Sequence, residues 1–149
     1  MVYWEKQKKI KALYELYCRP VRLKYGLTQM EYSILLFLHR NPECDTACSI
    51  VQTSRFTKSH VSSAIKGLEK RNLVTGEYRE NNNKTIHLKL TDRAEEILQE
   101  SAGAGKRYIK CLFDGFSEEE LQQARDFFAR VCSNAEEELR DLEEGKEYA

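Results

Sequence analysis

The sequence has few of the residues that interrupt regular structure. Its 149 residues include only two prolines and seven glycines, which excludes collagen-like repeats and mucin-like stalks. Hydrophobic residues make up 41% of the chain and charged residues 32%, so the composition is not that of a wholly disordered protein. The sequence therefore predicts a charged, helix-rich protein that is long enough to bury a core of its own.

Long apolar runs and a regular cysteine pattern are also missing. No stretch approaches the roughly 18 consecutive apolar residues of a membrane-spanning helix. Glu5 and the nearby lysines stand where a signal peptide has its apolar segment. The cysteines are odd in number and not closely paired, which argues against a secreted disulfide framework; they are Cys18, Cys44, Cys48, Cys111 and Cys132. These features predict a cytoplasmic protein with reduced thiols.

The net charge of zero hides an uneven distribution. Residues 1–25 carry seven Lys or Arg and two Asp or Glu, and residues 53–93 carry nine and four. Residues 114–147 carry four Lys or Arg and twelve Asp or Glu. Because charge interactions in solution are screened within about 8–10 Å, a basic segment can bind a nucleic acid while a distant acidic segment remains in solvent.

Apolar spacing and capping signals predict three helices in the first half of the chain. The first covers 2–23, and Pro20 is expected to bend or end it. A capping box of Thr28 and Glu31 opens the second helix, which should stop at Asn41 and Pro42. The third runs from about residue 45 or 46 to residue 53, with Ala47, Ile50 and Val51 directed inward.

A fourth helix and a hairpin follow. Thr57 is expected to cap the helix, whose inward face holds Val61, Ala64, Ile65 and Leu68. Its outward face holds Lys58, Ser59, Ser62, Ser63 and Lys66. Asn72 suits a left-handed helix end. Residues 73–79 and 85–90 then alternate as strands of a hairpin, with Ile86, Leu88 and Leu90 on one side.

Two longer helices complete the chain. The fifth starts at Thr91 and runs to about residue 112, and its small residues at 101–105 indicate either a close helix approach or a bend. Ser117 and Glu120 form a second capping box, which opens the sixth helix. The apolar stripe of that helix contains Leu121, Ala124, Phe127, Phe128, Val131, Ala135 and Leu139.

This order of elements predicts the fold class. Three helices and a two-stranded hairpin within residues 27–90 are typical of a winged helix-turn-helix domain, in which the third of these helices enters the major groove. We therefore expect a mainly α fold with a small β-hairpin wing. The outward face of the fourth helix suits this role because its side chains are short, polar or basic, and its N-terminus favours a phosphate.

The chain resembles the multiple-antibiotic-resistance regulator (MarR) family of dimeric bacterial repressors. The resemblance depends on the segments LTQMEY at 27–32, TKSHVSSAIKGLEKRNLV at 57–74 and HLKLTDRA at 87–94. It extends over nearly the whole chain. It implies that residues 1–26 and 91–149 form a helical dimerisation region around the DNA-binding domain at 27–90.

The resemblance also implies DNA contacts at specific residues of a homodimer that reads a palindromic operator. On the fourth helix these are Lys58, Ser59, His60, Ser62, Ser63 and Lys66, although His60 also fits a polar first-turn residue without a special role. On the wing they are Arg79, Asn82 and Lys84. The family's wing usually holds an Asp-x-Arg signature, whereas residues 81–84 read NNNK. We therefore expect a weaker wing contact, or one made by asparagine hydrogen bonds.

Such a regulator could sense its signal through a ligand-binding crevice or through a reactive cysteine. Tyr14, Tyr17, Tyr25, Tyr32 and Phe37 are candidates to line a crevice for a small aromatic or anionic inducer, and ordinary core packing is the alternative. Cys18 lies beside Arg19, which favours a reactive thiol, and a buried inert thiol is the alternative.

Metal binding and catalysis have weaker support. His39, Cys44 and Cys48 surround the turn before the third helix, but their spacing is not that of a zinc site, and filling of a helix junction is the simpler interpretation. No metal or cofactor is assigned. The sequence has no phosphate-binding glycine loop, nucleophile elbow or His-Glu metal motif, so we do not expect an enzyme. A winged-helix adaptor for another protein remains the alternative outside DNA binding.

Overall fold

A computed structural model of the chain describes residues 3–54, 56–79, 82–143 and 145. The described part contains six helices and a two-stranded antiparallel sheet: α1 (Tyr3–Lys24), α2 (Gln29–Arg40), α3 (Ala47–Ser54), α4 (Lys58–Lys70), β1 (Val74–Arg79), β2 (Asn82–Leu90), α5 (Asp92–Leu112) and α6 (Glu118–Glu143). The predicted fold class is confirmed. In the described residues, no helix is both long and apolar enough to cross a bilayer.

The chain divides into two compact units, Met1–Tyr108 and Ile109–Ala149. The first unit contains α1 to α4, the hairpin and most of α5, and it holds the hydrophobic core. Its largest fully buried side chains include those of Tyr32, Ile34, Leu35, Ile50 and Leu68. The second unit consists of the end of α5, a turn and α6, and α6 has no buried residue.

Helix α1 does not end at Pro20, which was one of the two outcomes expected there. The helix continues to Lys24 with Pro20 inside it. Pro20 cannot donate a hydrogen bond to the carbonyl four residues earlier, at Leu16. Both residues are exposed, so the carbonyl that loses its helical partner lies on the solvated side, where the loss costs least.

Helices α2 and α3 begin at side-chain caps. In α2 the predicted capping box is confirmed, with the Glu31 amide donating to Thr28 Oγ1 at 3.2 Å and the Thr28 amide donating to Glu31 Oε2 at 2.8 Å. In α3 the amide of Ser49 donates to Thr46 Oγ1 at 3.1 Å. Ile50 is buried as predicted, but Ala47 is exposed because it lies in the first turn, away from the core.

The hairpin follows α4 through a left-handed residue. Asn72 has a φ of 55°, which confirms the predicted helix end. The two strands pair from Val74 opposite Leu90 to Arg79 opposite Asn82, so β2 begins three residues earlier than the sequence indicated. Of the predicted inward side chains, Leu88 is buried and Leu90 half-buried, but Ile86 is 47% exposed because it lies toward the tip.

Helix α5 is continuous through its small residues at 101–105. Ser101 and Ala104 are both buried. One turn further, the Tyr108 ring lies 5.2 Å from that of Tyr14 and 6.0 Å from that of Tyr17, edge to face in both cases. The small side chains of α5 therefore face the interior of the first unit, where bulky tyrosines occupy the space.

Candidate nucleic-acid interface

Helix α4 separates a buried face from an exposed polar face. Its four predicted core residues, Val61, Ala64, Ile65 and Leu68, are all buried. The predicted contact residues Lys58, Ser59, His60, Ser62, Ser63 and Lys66 are all exposed. No acidic side chain lies among them, so this face presents only positive charge and neutral hydrogen-bonding groups to an approaching ligand. We call these six residues the α4 face.

The N-terminus of α4 is open toward the same side. The Thr57 hydroxyl accepts a hydrogen bond from the His60 amide at 3.4 Å, which satisfies one of the free amides of the first turn. The remaining free amides and the helix dipole favour an anion here. Lys58 and Ser59 are exposed in this turn, so a phosphate group that reaches it meets both a cation and a hydroxyl.

A buried carboxylate fixes α4 against α2. Glu31 is 5% exposed, and besides closing its capping box it lies 3.7 Å from Arg71 Nε at the end of α4. A Cβ at Gly67 would lie 2.1 Å from Glu31 Oε1, which is too close for any real contact. Gly67 therefore allows the α2 carboxylate to pack directly on α4.

The hairpin carries the three predicted wing residues on its outer part. Arg79, Asn82 and Lys84 are all exposed. Asn82 Oδ1 accepts hydrogen bonds from the amides of Lys84 at 3.1 Å and Thr85 at 3.3 Å, so this asparagine shapes the start of β2. Asn81 lies outside the described residues, as does Glu80.

Asp45 contacts the wing, and sequence reasoning missed it. The residue lies in the loop between α2 and α3, and its side chain is 13% exposed. One carboxylate oxygen accepts from Arg79 Nη2, and the other lies 2.8 Å from His87 Nδ1. Its main-chain carbonyl accepts from the Leu88 amide at 2.7 Å. The sequence indicated only that Asp45 precedes a helix, because its partners are 34 and 42 residues away.

The predicted inducer-binding tyrosines lie in different surroundings. Tyr32 is 2% exposed, and its hydroxyl is buried without a hydrogen-bond partner among the described residues. Burial raises the pKa of Tyr32 above its ordinary range. Burial also raises the pKa of Tyr14, an effect opposed by the hydrogen bond from Arg40. Tyr14 and Tyr17 pack on Tyr108 as described above, and Phe37 packs against the core.

Tyr25, one of the predicted inducer residues, lines an open pocket. The pocket has a volume of about 170 Å³ and is lined by Tyr25, Arg71, Leu73, Arg93, Glu96 and Ile97. The Tyr25 hydroxyl donates to Glu100 at 2.9 Å. The hydrogen bond from Lys24 holds the pKa of Glu100 below its ordinary value, and the hydrogen bond from the Tyr25 hydroxyl adds a smaller effect in the same direction. The pocket therefore lies between the end of α4 and the first turns of α5, and its charged lining residues are Arg71, Arg93 and Glu96.

The five cysteines are all free thiols in different surroundings. Cys18 is 4% exposed in the core, whereas Cys48 and Cys111 are exposed. Cys44 Sγ lies 3.7 Å from Glu43 Oε1 and 3.8 Å from Thr53 Oγ1. Among the described residues, no three His, Cys, Asp or Glu side chains are grouped to hold a metal ion.

Known proteins resemble the chain in sequence and in fold. Residues 25–81 match the sequence model of the MarR family. The HTH-type transcriptional regulator BilQ of Clostridioides difficile (strain CD3) is 24% identical over 111 residues, which is 74% of each protein.

Two solved structures share the fold at low sequence identity. A MarR family transcriptional regulator from Listeria monocytogenes, crystallised with 26mer DNA, has a TM-score of 0.75 and 18% identity, covering 100% of this chain and 98% of that one. A mutant of MepR from a multidrug resistant S. aureus clinical isolate has a TM-score of 0.74 and 16% identity, covering 91% and 98%. Together with the match at 25–81, these similarities show that the chain has the winged helix-turn-helix fold and that it resembles the MarR family of DNA-binding transcriptional regulators.

Proposed function

We propose that the chain is a cytoplasmic, dimeric repressor that binds a palindromic operator and leaves it when a small anionic molecule binds. The observation that carries this proposal is the α4 face, whose six residues are all exposed and include no acidic side chain. An exposed helix face of this kind fits the major groove of DNA, where short side chains reach base edges and cations contact phosphates.

The α4 face and the wing would make different contacts with the duplex. Lys58 and Lys66 would contact phosphates, because the lysine ammonium is a flexible point charge that carries little sequence information. Ser59, His60, Ser62 and Ser63 would reach base edges or neighbouring phosphates from the same face. Arg79, Asn82 and Lys84 would contact the duplex beside the major groove. The Listeria relative crystallised with 26mer DNA supports DNA as the ligand class.

The apolar side chains of α6 support a homodimer. Phe127 and Phe128 are 62% and 60% exposed, and Val131, Leu139 and Leu142 are also exposed on this helix. A contiguous apolar stripe of this size on a water-soluble surface is usually covered by a partner. A second copy is the occupant we propose, because an operator with two-fold symmetry is read by a protein with the same symmetry.

The pocket beside Arg71 and Arg93 supports an anionic inducer. Its volume of about 170 Å³ is below the usual range of about 300–1,000 Å³ for ligand sites, so it suits a small single-ring molecule. Arg71 is the residue that ends α4. A carboxylate that bridges Arg71 and Arg93 would favour one placement of α4 relative to α5, and so change the spacing of the two recognition helices from the roughly 34–36 Å that DNA requires.

The first experiment selects duplexes from a random pool with the purified protein and then measures affinity against salt concentration. Enrichment of a palindrome, with affinity that falls steeply as salt rises, is the expected result. A pool without enrichment and a protein that retains no duplex would overturn the proposal, and would favour a winged-helix adaptor that binds another protein.

A second experiment addresses the inducer. Benzoate serves as the probe, and its binding to the protein is measured by titration calorimetry. We expect Arg93→Ala to abolish benzoate binding, and Arg107→Ala, an exposed arginine of α5 outside the pocket lining, to preserve it. Equal binding by both variants would show that the pocket does not hold the anion.

A further inference from the structure

Asp45 is the only described carboxylate that contacts the wing arginine. Its Oδ2 accepts from Arg79 Nη2, and its Oδ1 is 2.8 Å from His87 Nδ1. Because an ionised carboxylate only accepts hydrogen bonds, the Nδ1 atom of His87 carries the proton in this contact. Both oxygens of Asp45 are therefore engaged with the two strands of the hairpin, one with each strand.

The loop that carries Asp45 is itself joined to the hairpin. The main-chain carbonyl of Asp45 accepts from the Leu88 amide at 2.7 Å, and Leu88 is buried at the base of the hairpin. The Asp45 backbone thus has a fixed position relative to β2. A side chain that is 13% exposed and anchored in this way has little freedom, so the groups bound to it are held in place.

Arg79 remains available to a ligand while it is held. Its side chain is 66% exposed, in contrast to the 13% of Asp45. A guanidinium has five N–H donors in a rigid plane, and the contact with Asp45 engages one of its nitrogens. The rest of this mostly exposed guanidinium is accessible to an approaching phosphate.

We propose that Asp45 is a positioning residue, which orients the guanidinium of Arg79 toward the DNA backbone. This inference rests on the proposed function and describes how the wing would contact DNA. The wing lacks the acidic residue of the Asp-x-Arg signature, with asparagine at 81–83. An acid from the loop between α2 and α3 instead contacts Arg79, which precedes the 81–84 stretch, and so orients a different cation of the wing.

An alternative is that Asp45 only weakens the affinity for DNA. A carboxylate near phosphates repels them, and a carboxylate that neutralises Arg79 competes with phosphate for it. On that basis, loss of the Asp45 charge would strengthen DNA binding. Orientation of Arg79 predicts the reverse, because a freely rotating arginine loses side-chain entropy when it binds.

The test is a double-mutant cycle on the full chain with Asp45→Asn, Arg79→Ala and the double variant, measured on the selected operator. We expect Asp45→Asn to weaken binding about fivefold, and to have no further effect in the Arg79→Ala background. Glu77→Gln is the matched control, since it removes another carboxylate of the hairpin, one paired with the exposed Lys89; it should leave affinity unchanged or raise it. Tighter binding by Asp45→Asn, or losses that multiply in the double variant, would overturn the inference.

A measurement without DNA separates this inference from the proposed function. The heteronuclear ¹⁵N relaxation of the Arg79 Nε–Hε group reports its mobility directly. We expect a restrained Arg79 in the unsubstituted protein and in Glu77→Gln, and a mobile one in Asp45→Asn. Equal mobility in all three proteins would refute the positioning role even if the protein bound no duplex. Failure of the duplex selection with a restrained Arg79 would refute only the proposed function.

Discussion

At the residue scale, a few side chains decide how α4 and the hairpin are held. Glu31 caps α2, packs on α4 at Gly67 and lies beside Arg71. Asp45 joins the loop between α2 and α3 to the hairpin through its contacts with Arg79 and His87. In both cases a mostly buried carboxylate joins elements that are distant in the chain, and its hydrogen bonds offset the cost of burial.

Gly67→Ala tests the contact between α2 and α4. Alanine stabilises an open helical position by up to about 1 kcal/mol relative to glycine, but here its Cβ would lie 2.1 Å from Glu31 Oε1. Displacement of Glu31 would also break the capping box, so we expect a net loss of about 1 kcal/mol. Denaturant unfolding measures it.

Gly105→Ala is the matched control for that substitution. No described heavy atom lies within 4 Å of a Cβ built at Gly105, which is also helical. We expect this variant to gain roughly 0.5–1 kcal/mol. A Gly67→Ala protein as stable as the Gly105→Ala protein would mean that Glu31 moves away at no cost.

Burial of Cys18 makes a prediction about thiol reactivity. Cys18 is 4% exposed, whereas Cys48 and Cys111 are exposed. We expect a thiol reagent to modify Cys48 and Cys111 at least about tenfold faster than Cys18 in the folded protein, because Cys18 reacts only after local opening. Mass spectrometry of timed samples measures this. Rapid modification of Cys18 would instead favour the alternative of a peroxide-sensing regulator.

At the element scale, each helix combines a local signal with a tertiary role. The capping boxes at Thr28 and Ser117 mark the starts of α2 and α6. The apolar periodicity of α4 places its core face against α2 and α3 and leaves the α4 face exposed. The hairpin adds a second exposed element with cationic side chains, Arg79 and Lys84.

Substitutions on the α4 face should separate affinity from specificity. We expect Lys66→Ala to weaken binding to operator and random duplex alike and to reduce the salt slope by about 1, since it removes a phosphate contact. Ser62→Ala or Ser63→Ala should change which base pairs are preferred. Fluorescence anisotropy on both duplexes provides the measurement.

The control for these substitutions is Lys106→Ala, an exposed lysine of α5 outside the winged-helix elements, which should bind as the unsubstituted protein does. Equal losses on both duplexes from Lys66→Ala, Ser62→Ala and Ser63→Ala would contradict the division between phosphate and base contacts.

At the scale of the whole molecule, the two units differ in how they bury apolar surface. The first unit encloses a core of its own, whereas α6 in the second leaves its apolar stripe exposed. An isolated chain would therefore carry an apolar surface that water does not favour. The proposed dimer would remove it.

Phe128→Glu tests the proposed dimer. We expect this variant to sediment as a monomer and to lose most of its operator affinity, because a charge would replace a ring in the interface core. Ser133→Glu is the control, since it adds the same charge on the opposite side of α6; it should remain dimeric. A Phe128→Glu protein that sediments as a dimer would show that this stripe is not the interface.

Local features of the sequence were enough to predict the elements and the α4 face. Helix caps, apolar spacing and the left-handed Asn72 depend on residues within a few positions of one another, and the structure confirms them. The exposure of Ala47 was not predicted, and the sequence left open whether Pro20 bends or ends α1, because each depends on which side of the helix faces solvent.

The tertiary structure alone decided which distant residues meet. Asp45 reaches Arg79 and His87 across 34 and 42 residues, and Glu31 packs on Gly67. The candidate tyrosines were separated by the fold into a buried Tyr32, a packed cluster around Tyr108 and a Tyr25 at the pocket. Periodicity gives the face on which a side chain lies but not the partner it meets, because partners are set by packing between elements that are far apart in the chain.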